Sequence, residues 1–332
     1  MIQHDRLISA AAEALCRGEL VAFPTETVYG LGANAADEAA IARLYAAKGR
    51  PTNHPVIVHI ARFEHLQHWV REIPPAAGVL AAACWPGPLT LVLPRAPQVL
   101  DSITGGQDTV AVRCPSHPLA IALLEACAAR GVWGLVAPSA NRFGRISPTT
   151  AAHVRAEFGS TLAQILDGGP CAVGIESTIV DVSGATPRVL RPGMLSADRI
   201  ASLLATPLAA ADAAAPRVSG GLAAHYAPRT PLQLLDAAGC VARAAALISV
   251  GHRVAVLASA HVLAGLGEDC ETLPAADAPA AYAQTLYANL RTLDALGCTE
   301  ILVEQPPPGP DWAGIHDRLN RAAAGAGQAD AG

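Results

Sequence analysis

Lysine is almost missing from this chain. Of 23 basic residues, 22 are arginine and Lys48 alone is lysine. A codon usage that favours arginine and alanine accounts for the bias, but it leaves the single compact ammonium inside the most distinctive stretch of the sequence, where a planar guanidinium would act differently. Aromatic residues are also scarce, at 4%, so the cores are expected to be small aliphatic side chains packed closely. The same scarcity weighs against an RNA-binding surface built on stacked bases. No uncharged apolar run approaches the roughly 18 residues of a membrane span, and Met1-Ile2-Gln3-His4-Asp5-Arg6 lacks a basic region followed by an apolar one. The chain is therefore expected to be cytoplasmic, with no membrane partner. The eight cysteines contain no Cys-x-x-Cys pair, which argues against a zinc ribbon or thioredoxin-type site; most are expected to be small buried residues with free thiols. The patterns G-x-x-x-x-G-K-[ST], H-E-x-x-H and G-x-S-x-G are absent as well. A P-loop and the simplest metalloprotease and hydrolase sites are thereby excluded.

What is present points to two α/β domains. The 332 residues are 52% hydrophobic and 15% charged, enough for more than one compact core. Residues 1–200 carry 16 basic and 16 acidic residues, whereas 201–332 carry 7 and 12, so neither part has the electrostatic footprint of a general nucleic-acid binder. Helical spacing predicts helices over 6–18, Glu38–Ala47, Phe63–Arg71, Gly78–Cys84, His117–Ala129 and Thr150–Phe158. Short apolar runs predict strands at Leu20–Phe23, Val56–Ile60, Leu89–Leu93, Thr109–Arg113, Trp133–Ala137, Gln164–Asp167, Thr178–Val182 and Arg188–Arg191. The alternation implies an α/β fold on a mixed sheet over 1–202. Residues 203–228, rich in Ala, Pro, Ser and Gly, read as a linker. A smaller α/β layer domain is expected over 229–323, with strands at Leu232–Leu235, Arg253–Ala258 and Glu300–Val303 and helices at Ala238–Val250, Ala280–Leu296 and Ile315–Ala323. The tail 324–332 is expected to be disordered.

Polar residues recur at the ends of the apolar strands, where ligands gather in α/β sheets. Phe23-Pro24-Thr25-Glu26-Thr27-Val28-Tyr29-Gly30-Leu31-Gly32 leads into Lys48-Gly49-Arg50-Pro51. His59, Arg113, Ser139, Asn141, Ser147, Glu176-Ser177-Thr178 and Arg191 follow. Each has a bland reading: Arg113 could pair with a surface acid, and Ser139-Ala140-Asn141 could be an ordinary turn or cap. Together they read as a composite site. Lys48, Arg50 and Arg191 could neutralise a polyphosphate, and Arg113 could grip a carboxylate with two hydrogen bonds. Gly30-Leu31-Gly32-Ala33-Asn34-Ala35 matches the loose G-x-G-x-x-A dinucleotide pattern, but a proline and three polar residues separate it from the strand, and two cations stand where a ribose-binding acid belongs. The glycines are expected instead to form a turn that floors the pocket. His65 and His68 read as surface residues of an amphipathic helix, and no metal site is expected. No Ser-His-Asp set or carboxylate pair is evident, so catalysis would rest on positioning and charge stabilisation.

These stretches, with Pro55-Val56-Ile57-Val58-His59, Trp85-Pro86-Gly87-Pro88-Leu89-Thr90, Val112-Arg113-Cys114-Pro115, Pro138-Ser139-Ala140-Asn141 and Ser177-Thr178-Ile179-Val180-Asp181, resemble the threonylcarbamoyl-AMP synthases. The resemblance runs over about residues 5–200 in family order. His225-Tyr226-Ala227-Pro228 and Ile315-His316-Asp317-Arg318-Leu319 further resemble the long members of that family. The resemblance implies a YrdC-like mixed twisted sheet with flanking helices, followed by a smaller Rossmann-like α/β C-terminal domain. It implies that L-threonine, bicarbonate and ATP with Mg²⁺ give L-threonylcarbamoyladenylate and pyrophosphate. The adenylate would serve the downstream machinery that modifies adenosine 37 of tRNA, with no stable nucleic-acid complex required. Threonine would be held by Thr27, His59, Arg113, Ala137 and Ser177. ATP would be held by Lys48, Arg50, His54, Thr109, Ser139, Asn141, Ser147 and Arg191, with His225 and Tyr226 as candidates for a flap. Lys48, Arg50 and Arg113 would carry the catalysis. His54 stands where many relatives have Asn, and the Lys-Tyr-Arg that precedes His-Tyr-Ala-Pro in some relatives is absent. Two other readings use the same fold: an RNA-binding or ribosome-associated module, and a carbamoyl-transfer domain of the hydrogenase-maturation type. The latter lacks its acylphosphatase-like and zinc-finger segments here.

Overall fold

A computed structural model describes residues 2–210 and 215–327. They form two compact units, one of residues Met1–Phe143 and Pro148–Gly221 and the other of Gly144–Ser147 and Leu222–Gly332. The first unit is built on nine strands: β1 (Val21–Phe23), β2 (Gly30–Asn34), β3 (Ile57–His59), β4 (Leu89–Pro94), β5 (Thr109–Arg113), β6 (Leu135–Val136), β7 (Gln164–Ile165), β8 (Thr178–Asp181) and β9 (Arg188–Arg191). Their order across the sheet is β7-β1-β2-β6-β3-β5-β4-β8-β9. The sheet is mixed, with parallel β1/β7, β3/β5 and β4/β8 and the remaining pairs antiparallel. The α/β class and mixed sheet expected from the sequence are present.

Helices α1 (Ile2–Cys16), α2 (Glu38–Lys48), α3 (Pro75–Cys84), α4 (Asp101–Thr104), α5 (Pro118–Ala128), α6 (Ala151–Phe158) and α7 (Ala197–Leu204) flank it. Strand side chains alternate between faces, and the two faces are covered unequally. Ala22, Leu31, Val58, Leu91, Val112, Val136 and Val180 point into one core, which includes Ile41 and Leu44 of α2, Leu80 of α3 and Val154 of α6. On the opposite face Val21, Phe23, Leu135 and Ala137 pack against α1 and α5. Those two helices cover only the β1–β6 half. The other half, over β3, β5, β4 and β8, carries the small apolar cluster Ile57, Val92 and Ile179 and the polar residues considered below.

Several elements depart from the sequence reading. Gly30-Leu31-Gly32 is no turn: it is the start of β2, paired antiparallel with β1. Its first polar neighbours, Thr25 to Thr27, form the connection instead. The segment from Phe63 to His68 is a 3-10 helix, and β6 is two residues long. The sequence reading assigned no element to α4 or to residues 197–202 of α7, and α7 runs two residues into the predicted linker. All eight cysteines are free thiols, five of them buried.

The second unit holds β10 (Leu232–Leu235), β11 (Val254–Ala258), β12 (Cys270–Pro274) and β13 (Glu300–Glu304), all parallel, in the order β10-β13-β11-β12. Its helices are α8 (Ala237–Ser249), α9 (Ala260–Leu263), α10 (Pro279–Ala295) and α11 (Ala313–Gly325). The exposed, half-polar β12 and the one-turn α9 carry too weak a period to be read from sequence. The predicted tail begins inside α11, and residues 328–332 lie outside the described residues, as do 211–214 of the predicted linker.

Gly32 shows what the glycines of β2 are for. A Cβ there would lie 2.9 Å from a ring carbon of Phe23 and 3.1 Å from the Val21 carbonyl oxygen, so the residue must be small for Phe23 to lie across its partner strand. Gly32→Ala is expected to cost about 1–3 kcal/mol by overpacking, read as a lowered urea midpoint; an unchanged midpoint contradicts this packing role.

Candidate active site

Residues paired across neighbouring strands share a face, and the register of the first sheet lines up one row. His59 of β3 pairs with Arg113 of β5, Arg113 with Thr90 of β4, Thr90 with Ile179 of β8, and Ile179 with Arg191 of β9. This row lies on the half-covered face. Two residues along each strand, Ile57, Ala111 and Val92 form a parallel apolar row. Beside that row opens a small cleft lined among others by Thr109, Gln107, Val218 and Ser219. Five residues that sequence reasoning placed in one pocket or the other, His59, Arg113, Ser177, Arg191 and Thr109, are thus brought to a single face.

Arg113 is the centre of this row. It is buried, and it donates from Nη2 to Glu26 Oε1 at 2.6 Å, from Nη1 to Thr27 Oγ1 at 2.8 Å and from Nε to the Gly87 carbonyl at 3.3 Å. A guanidinium has five N–H groups, which leaves two for a ligand. The connection between β1 and β2 is shaped to meet it. Thr25 Oγ1 donates to the Val28 carbonyl at 2.7 Å, so at its 2.9 Å contact with Thr27 it accepts and Thr27 donates. The hydrogen of Thr27 is therefore spent, one lone pair is taken by Arg113, and what remains is an acceptor. His59 is similar. Its Nδ1 lies 3.2 Å from the Ile57 carbonyl, which can only accept, so Nδ1 carries the proton and Nε2 is an acceptor. Burial, with the Arg113 charge beside it, pushes the His59 imidazole down to about 3, so the ring is neutral at physiological pH. A fork of N–H donors and two acceptor-only atoms is the complement of a carboxylate flanked by donating groups.

Ser177 joins the row through Thr90, at 2.7 Å between hydroxyls. Arg191 donates from Nη2 to Ser177 O at 2.9 Å and to its Oγ at 3.2 Å, and from Nη1 to the Ser219 carbonyl at 2.9 Å. Arg50 donates to the Pro55 carbonyl at 2.8 Å and reaches Ser219 Oγ at 3.5 Å. Ser219 therefore sits between two of the three cations expected at a polyphosphate. Phe143 packs against both Arg50, at 5.5 Å from its ring centroid, and the His54 ring, at 5.6 Å.

Lys48 ends α2, whose N-terminus is capped by Asp37 and whose C-cap Gly49 adopts a left-handed φ of 63°. The side chain is buried, and Nζ donates to the carbonyls of Ser139 and Asn141, each at 2.5 Å. Burial and the nearby Arg50 charge push its amine well below the ordinary lysine value, against the opposing pull of Glu157 and with a further push from Arg142. Ala137 follows β6 and donates its N–H to the Ile57 carbonyl at 3.1 Å. Ser147, His225 and Tyr226 belong to the second unit. There His225 and Tyr226 are buried with their rings 4.2 Å apart, and Arg318 lies over the Tyr226 ring. Tyr226 holds a positive φ of 62°, a strained conformation for a residue with a side chain.

Three participants escaped the sequence reading: Glu26, Thr90 and Ser219. Glu26 had a signal, since it is the one acid in the apolar and hydroxyl run between β1 and β2, and a buried Arg113 requires an anion. Thr90 is one of several apolar-strand positions, and only the register reveals it. Ser219 was hidden in a Ser-Gly-Gly sequence that looks like a spacer.

The state of His59 has a measurable consequence. Its folded pKa lies below the unfolded value of about 6.5, so the neutral ring contributes stability that is complete above that pH and is lost as pH falls toward the folded value. The slope is up to about 1.4 kcal/mol per pH unit. His59→Gln is expected to flatten the dependence of the urea midpoint on pH between about 6.5 and 4.5, above the main carboxylate range. An undiminished slope in the variant contradicts the assignment.

A family model described as "Telomere recombination", covering Sua5, YciO and YrdC proteins, matches residues 13–193. A second, described as the C-terminal domain of threonylcarbamoyl-AMP synthase, matches residues 190–324. The threonylcarbamoyl-AMP synthase of Pyrococcus abyssi is 39% identical over 328 residues, 95% of this chain and 93% of that protein. That of Bacillus subtilis is 37% identical over 335 residues, covering 97% and 94%. The crystal structure of P. abyssi Sua5 complexed with L-threonine matches with a TM-score of 0.89 at 37% identity, over 96% of this chain and 95% of that one. Over both of its units, this chain belongs to the threonylcarbamoyl-AMP synthase family, as one of the long, two-domain members.

Proposed function

We propose that this chain is an L-threonylcarbamoyladenylate synthase: a nucleotidyltransferase that makes threonylcarbamoyl-AMP and pyrophosphate from L-threonine, bicarbonate and ATP. Its product would feed the threonylcarbamoyl-transfer machinery that modifies adenosine 37 of tRNA. The observation that carries this reading is the Arg113 fork flanked by the acceptor-only atoms of His59 and Thr27. A carboxylate on Arg113 places a donating amine and hydroxyl opposite acceptors, which describes a β-hydroxy amino acid. The family membership and the relative solved with L-threonine support the same ligand.

Bicarbonate and the threonine amine would condense to a carbamate with loss of water, and a carbamate oxygen would attack the α-phosphate and expel pyrophosphate. No side chain needs to become a nucleophile; the protein holds two substrates in line and answers the charge that moves between them. The amino-acid row ends at Arg191, and the cleft beside it is flanked by Ser219, which both Arg50 and Arg191 contact. We assign ATP to that side, with Lys48, Arg50 and Arg191 near its phosphates, Asn141 and Ser139 on the brace they share with Lys48, and Thr109 in the cleft wall. Mg²⁺ would enter this scheme as Mg·ATP, bound chiefly through phosphates. No described helix is long and apolar enough to cross a membrane.

Purified protein with bicarbonate and Mg·ATP is expected to release pyrophosphate only when L-threonine is added; release independent of threonine, or none, overturns the proposal. Arg113→Lys keeps the charge but loses the fork, and charged hydrogen bonds are worth about 1.5–3 kcal/mol each. The variant is expected to raise the threonine KM about 10- to 100-fold while leaving the ATP KM nearly unchanged. Equal losses for the two substrates contradict the assigned role.

A further inference from the structure

Arg113 has a buried partner to which the proposed chemistry gives no task. Glu26 accepts from Arg113 Nη2 on one carboxylate oxygen, at 2.6 Å, and from the Ser116 backbone N–H on the other, at 3.0 Å. The side chains of the pair are 8% and 5% exposed. Burial alone would push the Glu26 carboxyl up, but the Arg113 charge and hydrogen bond hold it below the usual carboxylate range, so it is an anion. Its backbone is pinned as firmly as its side chain: Val173 N–H donates to the Glu26 carbonyl at 2.7 Å and Gly174 N–H to that of Thr27 at 3.1 Å. A buried ion pair is a poor stabiliser, since an apolar pair of similar volume is often as good. A stabilising role is thus a weak explanation for one placed within the amino-acid row.

We propose that Glu26 determines specificity in the amino-acid pocket: by cancelling the Arg113 charge in place, it fits the pocket to a zwitterion and disfavours a simple carboxylate anion. The inference rests on the threonine reading above. With neutral His59 beside it, Arg113 alone would present a bare buried cation, best satisfied by any carboxylate. Glu26 removes that advantage. A ligand that brings only a negative charge then meets a guanidinium already paired and an anion behind it. A ligand that also brings an ammonium meets no uncompensated cation to repel it and finds the acceptors of Thr27 and His59 to receive it. Glu26 also keeps Arg113 directed, because three of its five N–H groups are committed to Glu26, Thr27 and Gly87. It is a positioning residue that acts through Arg113.

L-threonine and 3-hydroxybutyrate, the same molecule without its amine, separate this role from a structural one. Binding of each to the full chain is measured by calorimetry for the native protein, E26Q and E26D, with ATP binding as the control. The native protein is expected to prefer threonine by at least tenfold. E26Q is expected to bind threonine at least tenfold more weakly and 3-hydroxybutyrate no more weakly than the native protein, with ATP affinity within about twofold. A parallel loss for both ligands, or an unaltered preference, overturns the proposal. E26D keeps the charge on a shorter side chain, so it is expected to bind threonine more weakly yet retain the preference; if E26Q does not fold, loss of the preference in E26D overturns the proposal by itself. Threonine binding and threonine-dependent pyrophosphate release by the native protein keep the two readings apart. Their failure removes the threonine reading and this inference with it, whereas their success with an unshifted preference in E26Q removes the inference alone.

Discussion

Burying a guanidinium costs several kcal/mol unless its charge and its N–H groups are answered, and much of the first unit can be read as the answer to Arg113. The β1–β2 connection brings Glu26 and Thr27 to it, the turn before β4 brings the Gly87 carbonyl, and the segment after β5 brings the Ser116 N–H to the far side of Glu26. Thr27 is held in turn by Thr25, and Thr25 by Val28. Each bond fixes the direction of the next. The acceptor character of the pocket thus follows from where the hydrogens of this chain must go.

A site of this kind needs a sheet face that is dry at the edges and open in the middle. Unequal covering supplies it. The α1 and α5 helices seal the face over β1, β2 and β6 with Ala11, Ala12, Leu15, Leu123 and Leu124, and the small side chains of α1 allow close approach to its neighbours. Beyond β6 no helix of that core continues, and register does the rest: a row that carries His59, Arg113, Thr90 and Arg191 lies beside an apolar row from Ile57 to Val92. A one-residue slip in β5 would turn Arg113 into the opposite core, where Val110 and Val112 now sit. The valines that hold the register therefore keep the site in existence as much as the residues that form it.

The strands that carry this row were legible because they are short, uniformly apolar and end in residues that do not belong in a core, such as His59 and Arg113. The α/β class and the change of composition after α7 were legible for the same reason. What the one-dimensional pattern could not carry was pairing. Gly30-Leu31-Gly32 resembles a turn by composition, yet Phe23 needs the missing side chain of Gly32 across the strand pair, a requirement visible only once β1 and β2 are adjacent. Thr90 and Ser219 likewise acquire meaning from neighbours 87 and 28 residues away, Ser177 and Arg191. The loop from Gly144 to Ser147 joins the second unit although the sequence flanking it belongs to the first, and no local signal marks that exchange. Motif order pointed to the candidate residues, whereas hydrogen-bond direction, which tells a donor from an acceptor, required the fold.

The lone lysine shows how far the two kinds of information combine. Codon bias explains why arginine replaces lysine elsewhere but not why position 48 resists. There the terminal nitrogen is buried and meets two carbonyl oxygens, those of Ser139 and Asn141. A guanidinium at that point would bring five N–H groups and a charge it cannot lose; an ammonium brings three, in a compact head that fits between two carbonyls of one turn. Desolvation weakens its hold on the proton, and an anion placed beside it would strengthen that hold again. Lys48 is thus the brace of the Ser139–Asn141 turn, and under the proposed function it would also be a cation whose charge a bound phosphate favours. Arginine, always charged, could provide only a fixed positive site. The single lysine of the chain has its physical reason in the two carbonyls that the fold sets around it.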